Sequence, residues 1–226
     1  MSESPTPVWD GPTRLFHWAL AILVLVAWLT AGEQMTLHRG AGYAILGLLA
    51  FRVWWGFAGG STARFSQFVR GPSAIRAYLS ASRQGHAPER AGHNPLGALS
   101  VIALLGLVAL QAGLGLFAID EDGFEGGPLS DRIDFDLARQ IAEWHELSFR
   151  LIQALVVLHL AAILYYVFRK REDLLRPMVT GVRRFSGPVQ GLVRAPLWRL
   201  AVGVGIGLAV AFAASRGFKL GSILFR

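Results

Sequence analysis

Trp144-His145-Glu146-Leu147-Ser148-Phe149-Arg150-Leu151-Ile152-Gln153-Ala154-Leu155-Val156-Val157-Leu158-His159-Leu160-Ala161-Ala162-Ile163-Leu164-Tyr165-Tyr166 decides the fold. It reads as one apolar helix carrying two histidines, His145 and His159, fourteen residues apart. Fourteen steps of a 3.6-residue helix come within about 40° of four whole turns, so both imidazoles leave roughly one face. The rise between them is ~21 Å, most of the ~30 Å hydrocarbon thickness of a bilayer. One helix thus offers a nitrogen ligand near each membrane surface.

The rest of the chain agrees with a bilayer setting. Of 226 residues, 53% are hydrophobic and only 16% charged, and the mean hydropathy is +0.44. These values point to an integral membrane protein with little outside the bilayer. The net charge of +7 is read as basic loops facing lipid headgroups, not as a nucleic-acid surface. Cysteine is absent, which excludes disulfides, iron–sulfur ligation, thiolate metal sites and covalent heme attachment in this chain. Glu3, Asp10 and Arg14 precede the first apolar run in place of a basic leader, so the first helix is expected to be retained.

Five apolar runs are expected to span: 16–30, 38–57, 96–117, 145–168 and 196–214. Between the second and third lie Arg64, Arg70, Arg76, Arg83 and Arg90 against Glu89 alone. Between the fourth and fifth lie Arg169, Lys170, Arg171, Arg176, Arg183, Arg184 and Arg194 against Glu172 and Asp173. The connection 120–143 reverses the bias, with eight acidic residues from Asp120 to Glu143 against Arg132 and Arg139. The positive-inside rule then places the N-terminus in the cytoplasm and the acidic connection outside. Residues 73–80 read as a surface helix, and Asn94-Pro95 as the start of the third span. His86 and His93 are assigned to the polar connection as solvated residues.

The remaining four histidines pair by depth. His17 opens an outward-running helix and His38 an inward-running one, so His17 matches His159 and His38 matches His145. A facing pair of imidazoles suits low-spin heme iron, which takes one axial nitrogen on each side. Zinc asks for three or four ligands, and copper for Cys or Met beside the histidines. The competing reading makes each histidine a packing residue bonded to a backbone carbonyl. Ala21, Gly42, Ala161 and Ala162 beside the ligands leave room for a flat macrocycle. Arg52 lies fourteen residues after His38, at the inner level, where a heme propionate could pair with it. Arg14 and Arg39 adjoin ligands and do likewise or snorkel to lipid phosphates.

Pro12-Thr13-Arg14-Leu15-Phe16-His17-Trp18, His38-Arg39-Gly40-Ala41-Gly42-Tyr43, Trp144-His145-Glu146 with His159, and Pro177-Met178-Val179-Thr180-Gly181 resemble the bacterial cytochrome b561 and nickel-hydrogenase b-type cytochrome superfamily. The resemblance covers roughly residues 8 to 182. It implies a four-helix di-heme cytochrome b of the bacterial inner membrane, with His17 and His159 on the inner iron and His38 and His145 on the outer. It implies two non-covalent bis-His b hemes and electron transfer between a periplasmic redox partner, or superoxide, and the quinone pool.

The expected architecture is therefore an all-α integral membrane bundle. Residues 1–182 form the four-helix di-heme domain, and 183–226 a cytoplasmic connection with an additional C-terminal transmembrane helix. The expected function is an electron-transfer subunit serving a hydrogenase, dehydrogenase or c-type cytochrome, with the acidic connection as docking surface or plain solvated loop. An autonomous superoxide:quinone oxidoreductase and a non-redox transporter or proton pathway using paired histidines are the alternatives.

Overall fold

Short polar residues and prolines set where the helices of this protein begin. In the computed structural model, which describes residues 4–84, 91–185 and 187–219, α1 (Gly11–Thr30) starts behind Asp10. The Asp10 Oδ1 accepts from Thr13 N at 2.8 Å, satisfying one of the free N–H groups of the first turn. α2 spans Met35–Ala58, α3 Phe65–Phe68 and α4 Pro72–Arg83. α5 (Pro95–Gly115) has the expected start, with Asn94 Oδ1 accepting from Gly97 N at 2.8 Å and Pro95 at the first position. α6 covers Phe135–Arg169, α7 Leu175–Thr180 and α8 Leu197–Ser215.

Five of these helices, α1, α2, α5, α6 and α8, are long and apolar enough to cross a membrane. The protein is an all-α multi-pass membrane bundle. Trp28, Val157, Leu164, Leu208 and Phe212 are each more than half exposed, which a bilayer accommodates and water does not. α6 is longer than expected. Its 35 residues rise about 52 Å, well beyond a ~30 Å core. The last nine residues of the acidic connection are thus helical, with Arg139 and Glu143 paired one turn apart at 3.7 Å.

Two compact units divide the chain, and all five boundaries fall inside the long helices. The first comprises the described residues of Met1–Phe16, Arg52–Ala103 and Val156–Ala201. It holds a small antiparallel ribbon, β1 (Ser4–Pro7) on β2 (Val182–Phe185), with Thr6 opposite Arg183. No strand was expected in an all-α chain; here β1 carries Pro5 and Pro7 and pairs with β2 on one side alone, where prolines are tolerated. The ribbon seats the N-terminal segment, and Thr62 Oγ1 donates to Val8 O at 2.6 Å. Gly181 ends α7 with a φ of +85° and lies so close to Trp9 O that a Cβ there would sit 2.8 Å away. Only glycine meets both conditions without strain.

The expected surface helix is α4, slightly longer than 73–80. Its Tyr78 hydroxyl shares a hydrogen bond with Tyr166 at 3.1 Å, and Asn94 Nδ2 donates to Tyr166 at 3.2 Å. Burial, and after it the bond to Tyr166, push the Tyr78 phenol up, so it stays protonated at neutral pH. His93 is not the solvated residue expected. It is half-buried, with its ring 4.6 Å from Trp9 and 4.8 Å from Phe68. His86 lies outside the described residues.

The second unit comprises the described residues of His17–Phe51, Leu104–Leu155 and Val202–Arg226. Its core is Ile45 and Leu49 of α2, Val108 of α5 and Ile152 of α6, with Leu20, Leu23, Val24 and Ala27 of α1 packed on it. α8 reaches α2 through backbone. A Cβ on Gly47 would lie 2.6 Å from Gly207 O, and one on Gly207 would lie 2.9 Å from Gly47 O. Small residues at the crossing let two membrane helices touch, which gives the fifth helix a packing role within this chain.

Candidate functional site

His38 and His145 face each other in the second unit. Their ring centres are 6.1 Å apart, and the ring planes are inclined by 75°. Each imidazole is oriented by a backbone carbonyl. His38 Nδ1 bonds Ala27 O at 2.8 Å, and His145 Nδ1 bonds Gln111 O at 3.0 Å. A carbonyl oxygen only accepts, so each Nδ1 carries the proton and each Nε2 keeps its lone pair. That is the tautomer a metal ligand needs, and a carbonyl on the other nitrogen is the usual way it is held.

The local sequence explains these anchors. Ala27 lies in the last turn of α1, whose final four carbonyls have no main-chain N–H partner within the helix. His38 Nδ1 takes up one of them. Gln111 lies near the end of α5, and Gly115 one turn on lets that helix approach the imidazole: a Cβ there would be 2.9 Å from His145 Cε1. The Gln111 side chain also reaches the ligating nitrogen, its Nε2 donating to His145 Nε2 at 3.0 Å. Its Oε1 accepts from the Ser148 hydroxyl. Gln111 and Ser148 were missed in the sequence, although a lone glutamine in the apolar run 96–117 is itself a signal.

The remaining residues fall as follows. In the first unit, His159 Nδ1 lies 3.3 Å from Ser100 Oγ. His17 belongs to the second unit and makes an edge-on contact with Trp18 at 5.1 Å. Arg52 is 3% exposed, with its guanidinium 4.8 Å from the Phe65 ring and 6.0 Å from the Phe16 ring. Its Nη1 is buried and meets no hydrogen-bond partner among the described residues. Arg39 pairs with Glu125, and Arg14 donates through Nη1 to Val179 O. Each of those two arginines therefore has a protein partner that the sequence reading did not weigh.

Chemically, the His38–His145 arrangement suits an ion ligated from two sides. Imidazole bonds of about 2 Å to a central metal put the two ring centres about 6 Å apart, which the observed spacing meets. Among the described residues, no three His, Asp or Glu side chains gather as a mononuclear metal site would require. The pair thus fits axial ligation of a planar cofactor, with the Gln111 amide giving way on the His145 side.

Comparison with known proteins agrees with that geometry. The chain is 27% identical over 216 residues to a probable Ni/Fe-hydrogenase B-type cytochrome subunit of Azotobacter chroococcum mcd 1, covering 79% of this chain and 88% of the relative. A protein of the same description from Azotobacter vinelandii is 26% identical over the same shares. One from Cupriavidus necator is 25% identical over 220 residues, covering 82% of this chain and 89% of the relative. No solved structure matches. The model of prokaryotic cytochrome b561 matches residues 8–181, which include all four histidines assigned as ligands, and the chain accordingly belongs to that family of membrane electron-transfer cytochromes carrying heme b.

Proposed function

We propose that this protein binds two b hemes and moves electrons across the bacterial inner membrane, between a hydrogenase-type redox subunit outside and the quinone pool. His38 and His145 hold the outer heme; His17 and His159 hold the inner one. Residues 1–182 serve as the di-heme domain, and the connection with α8 at 183–226 braces it. The observation that carries the reading is the His38–His145 pair, with each Nδ1 on a backbone carbonyl and the Gln111 amide on the lone pair of His145 Nε2.

When bound, heme supplies one-electron redox chemistry; the protein supplies axial ligands, low dielectric and nearby charge, which set the potentials. The His38 and His145 rings are locked before ligation, so little side-chain freedom is lost when iron binds. The outside placing of the acidic turn and the cytoplasmic N-terminus follow from the distribution of Arg and Lys. The relatives named as hydrogenase subunits support a hydrogenase as donor. The turn at Glu125, held to α2 by Arg39, offers such a partner an acidic surface with a fixed backbone.

Heme content tests the reading. Purified wild type is expected to carry two hemes per chain by pyridine hemochrome assay, with His38→Ala and His159→Ala each carrying one. A wild type with a single heme, or variants that each keep two, would sink the assignment of ligands.

A further inference from the structure

The connection after α6 carries more positive charge than its own carboxylates balance. The described carboxylates of the first unit are Asp10, Glu172 and Asp173, and each is in use. Asp10 accepts from Thr13 N and Trp55 Nε1, and Glu172 pairs with Arg183 at 3.0 Å. Asp173 Oδ1 accepts from Leu175 N and Arg176 N at 3.1 and 3.0 Å. Lys170 reaches the surface helix α4, its Nζ donating to Ser82 O of the last turn at 3.3 Å. That bond joins the end of α4 to the end of α6, and so brings Arg83 to the run Arg169-Lys170-Arg171. Among the described residues, none of Arg76, Arg83, Lys170 and Arg171 forms an ion pair with a carboxylate. Like charges gathered in this way repel one another until a counter-charge joins them.

The backbone of this seam is a second, independent sign. Arg171 has a φ of +56° in the turn that closes α6, where Glu172 N donates to Tyr166 O at 3.0 Å. Glycine adopts that left-handed conformation at helix ends without cost, whereas a Cβ strains it. The strain is borne for the guanidinium, since glycine would hold the position more easily. The surroundings are those of a membrane surface. Tyr165 and Phe168, 52% and 77% exposed, end the α6 span at the level where headgroups begin. On α4, Ala74, Ile75, Tyr78 and Ala81 are half-buried. Arg76 and Arg83, seven residues apart and so on one face, are exposed.

We propose that this seam binds the phosphate of an acidic phospholipid, with Arg83, Lys170 and Arg171 as its cations and Arg76 extending the row along α4. A phosphodiester accepts several charge-assisted hydrogen bonds at once, and two guanidinium forks and an ammonium supply the donors. Acidic lipids are preferred to zwitterionic ones, because the latter bring an ammonium of their own into a cluster already rich in cations. Tyr165 and Phe168 lie where acyl chains begin, so a lipid fits the place better than a soluble anion does. With the phosphate bound, a shared counter-ion holds α4 to α6 alongside the Lys170–Ser82 and Tyr78–Tyr166 bonds. The inference does not depend on the heme assignment.

The test titrates the full-length protein in neutral detergent with phosphatidylglycerol or with phosphatidylcholine of the same acyl chains, and native mass spectrometry counts the bound lipid. Wild type is expected to hold one phosphatidylglycerol about tenfold more tightly than phosphatidylcholine. Arg171→Gly removes the guanidinium and relieves the backbone. It should therefore bind phosphatidylglycerol about fivefold more weakly while melting no earlier than wild type in phosphatidylcholine. Lys170→Gln and Arg83→Gln should weaken binding by a similar factor. Arg194→Gln, beside the Val193–Ser61 bond and outside the seam, should leave it unchanged. Equal binding by wild type and Arg171→Gly would overturn the site. An equal loss in Arg194→Gln would do so too, because the preference would then belong to the overall charge. Displacement of the lipid by millimolar inorganic phosphate would overturn the lipid assignment in favour of a free ion.

Discussion

The two units hold their imidazoles by different means. In the second, His38 and His145 are each tied through Nδ1 to a main-chain carbonyl, at 2.8 and 3.0 Å. In the first, His159 meets the Ser100 hydroxyl at 3.3 Å. A carbonyl accepts and nothing else, so it dictates the tautomer; a hydroxyl donates or accepts and leaves the tautomer free. Within the second unit, Gln111 and Ser148 complete the polar set around His145. In the first unit, Arg52 Nη1, Thr13 Oγ1 and Arg14 Nε are buried without a hydrogen-bond partner among the described residues. One region fixes its facing imidazoles through its own backbone, whereas the other leaves the His159 tautomer open.

That contrast breaks most sharply at the ligands. His145→Ala is expected to remove one of two hemes outright, since it takes away one axial nitrogen of the facing pair. Ser100→Ala, which takes away the hydroxyl beside His159, is expected to leave both hemes in place. Hemochrome stoichiometry reads the two variants side by side. A Ser100 variant that loses as much heme as His145→Ala would show that the anchors are equivalent after all. Next in size is the α2–α8 crossing. Gly207→Leu drives a side chain into Gly47 O, where even a Cβ would be 2.9 Å away. Overpacking of this kind costs about 1–3 kcal/mol or more. Thermal loss of the Soret band is expected at a clearly lower temperature, with heme content at 4 °C unchanged.

The spans were legible in the sequence for a physical reason, and the histidines within them were conspicuous for the same one. In a bilayer every backbone group must be satisfied within the helix, so apolar length alone announces a span, and an intramembrane histidine stands out against it. The anchors of those histidines were not legible. Ala27 O is main chain, and its availability depends on where α1 ends, which composition does not locate to the residue. The extra ten residues of α6 escaped because they are amphipathic and charged, so a search for apolar runs stops at Trp144. The Gly47–Gly207 contact was hidden among 26 glycines, several of which make approaches just as close elsewhere. Arg39 was read toward a propionate or a lipid phosphate, because Glu125 lies eighty-six residues away and only folding brings it near.

Two smaller effects sharpen the comparison. Gln111→Leu removes the amide that occupies His145 Nε2 while keeping the main-chain carbonyl on Nδ1. Releasing a neutral hydrogen bond before ligation is worth about 1 kcal/mol. The apoprotein variant is therefore expected to bind heme roughly fivefold more tightly in a spectrophotometric titration. Weaker binding would mean that Gln111 supports the loaded site and does not compete with it.

The smallest effect is expected at Arg39 and Glu125, whose side chains are 28% and 46% exposed. At that exposure solvent screens the pair, and removal of either partner is worth about 0–1 kcal/mol. The turn it braces has its own closure, with Glu125 N on Asp120 Oδ1 at 3.0 Å and Asp120 N on Glu125 O at 3.1 Å. Glu125→Gln should thus leave the melting temperature nearly unchanged. The more informative readout is the reduction potential of the second unit's heme. If Arg39 serves the acidic turn, Arg39→Gln and Glu125→Gln both leave that potential where it was, and each slows electron entry from a basic redox partner at low salt. If Arg39 is shared with a propionate, Arg39→Gln lowers the potential and Glu125→Gln, by freeing the guanidinium, raises it. Opposite signs in the two variants would mean that Arg39 answers to the cofactor's charge and not only to the acidic turn.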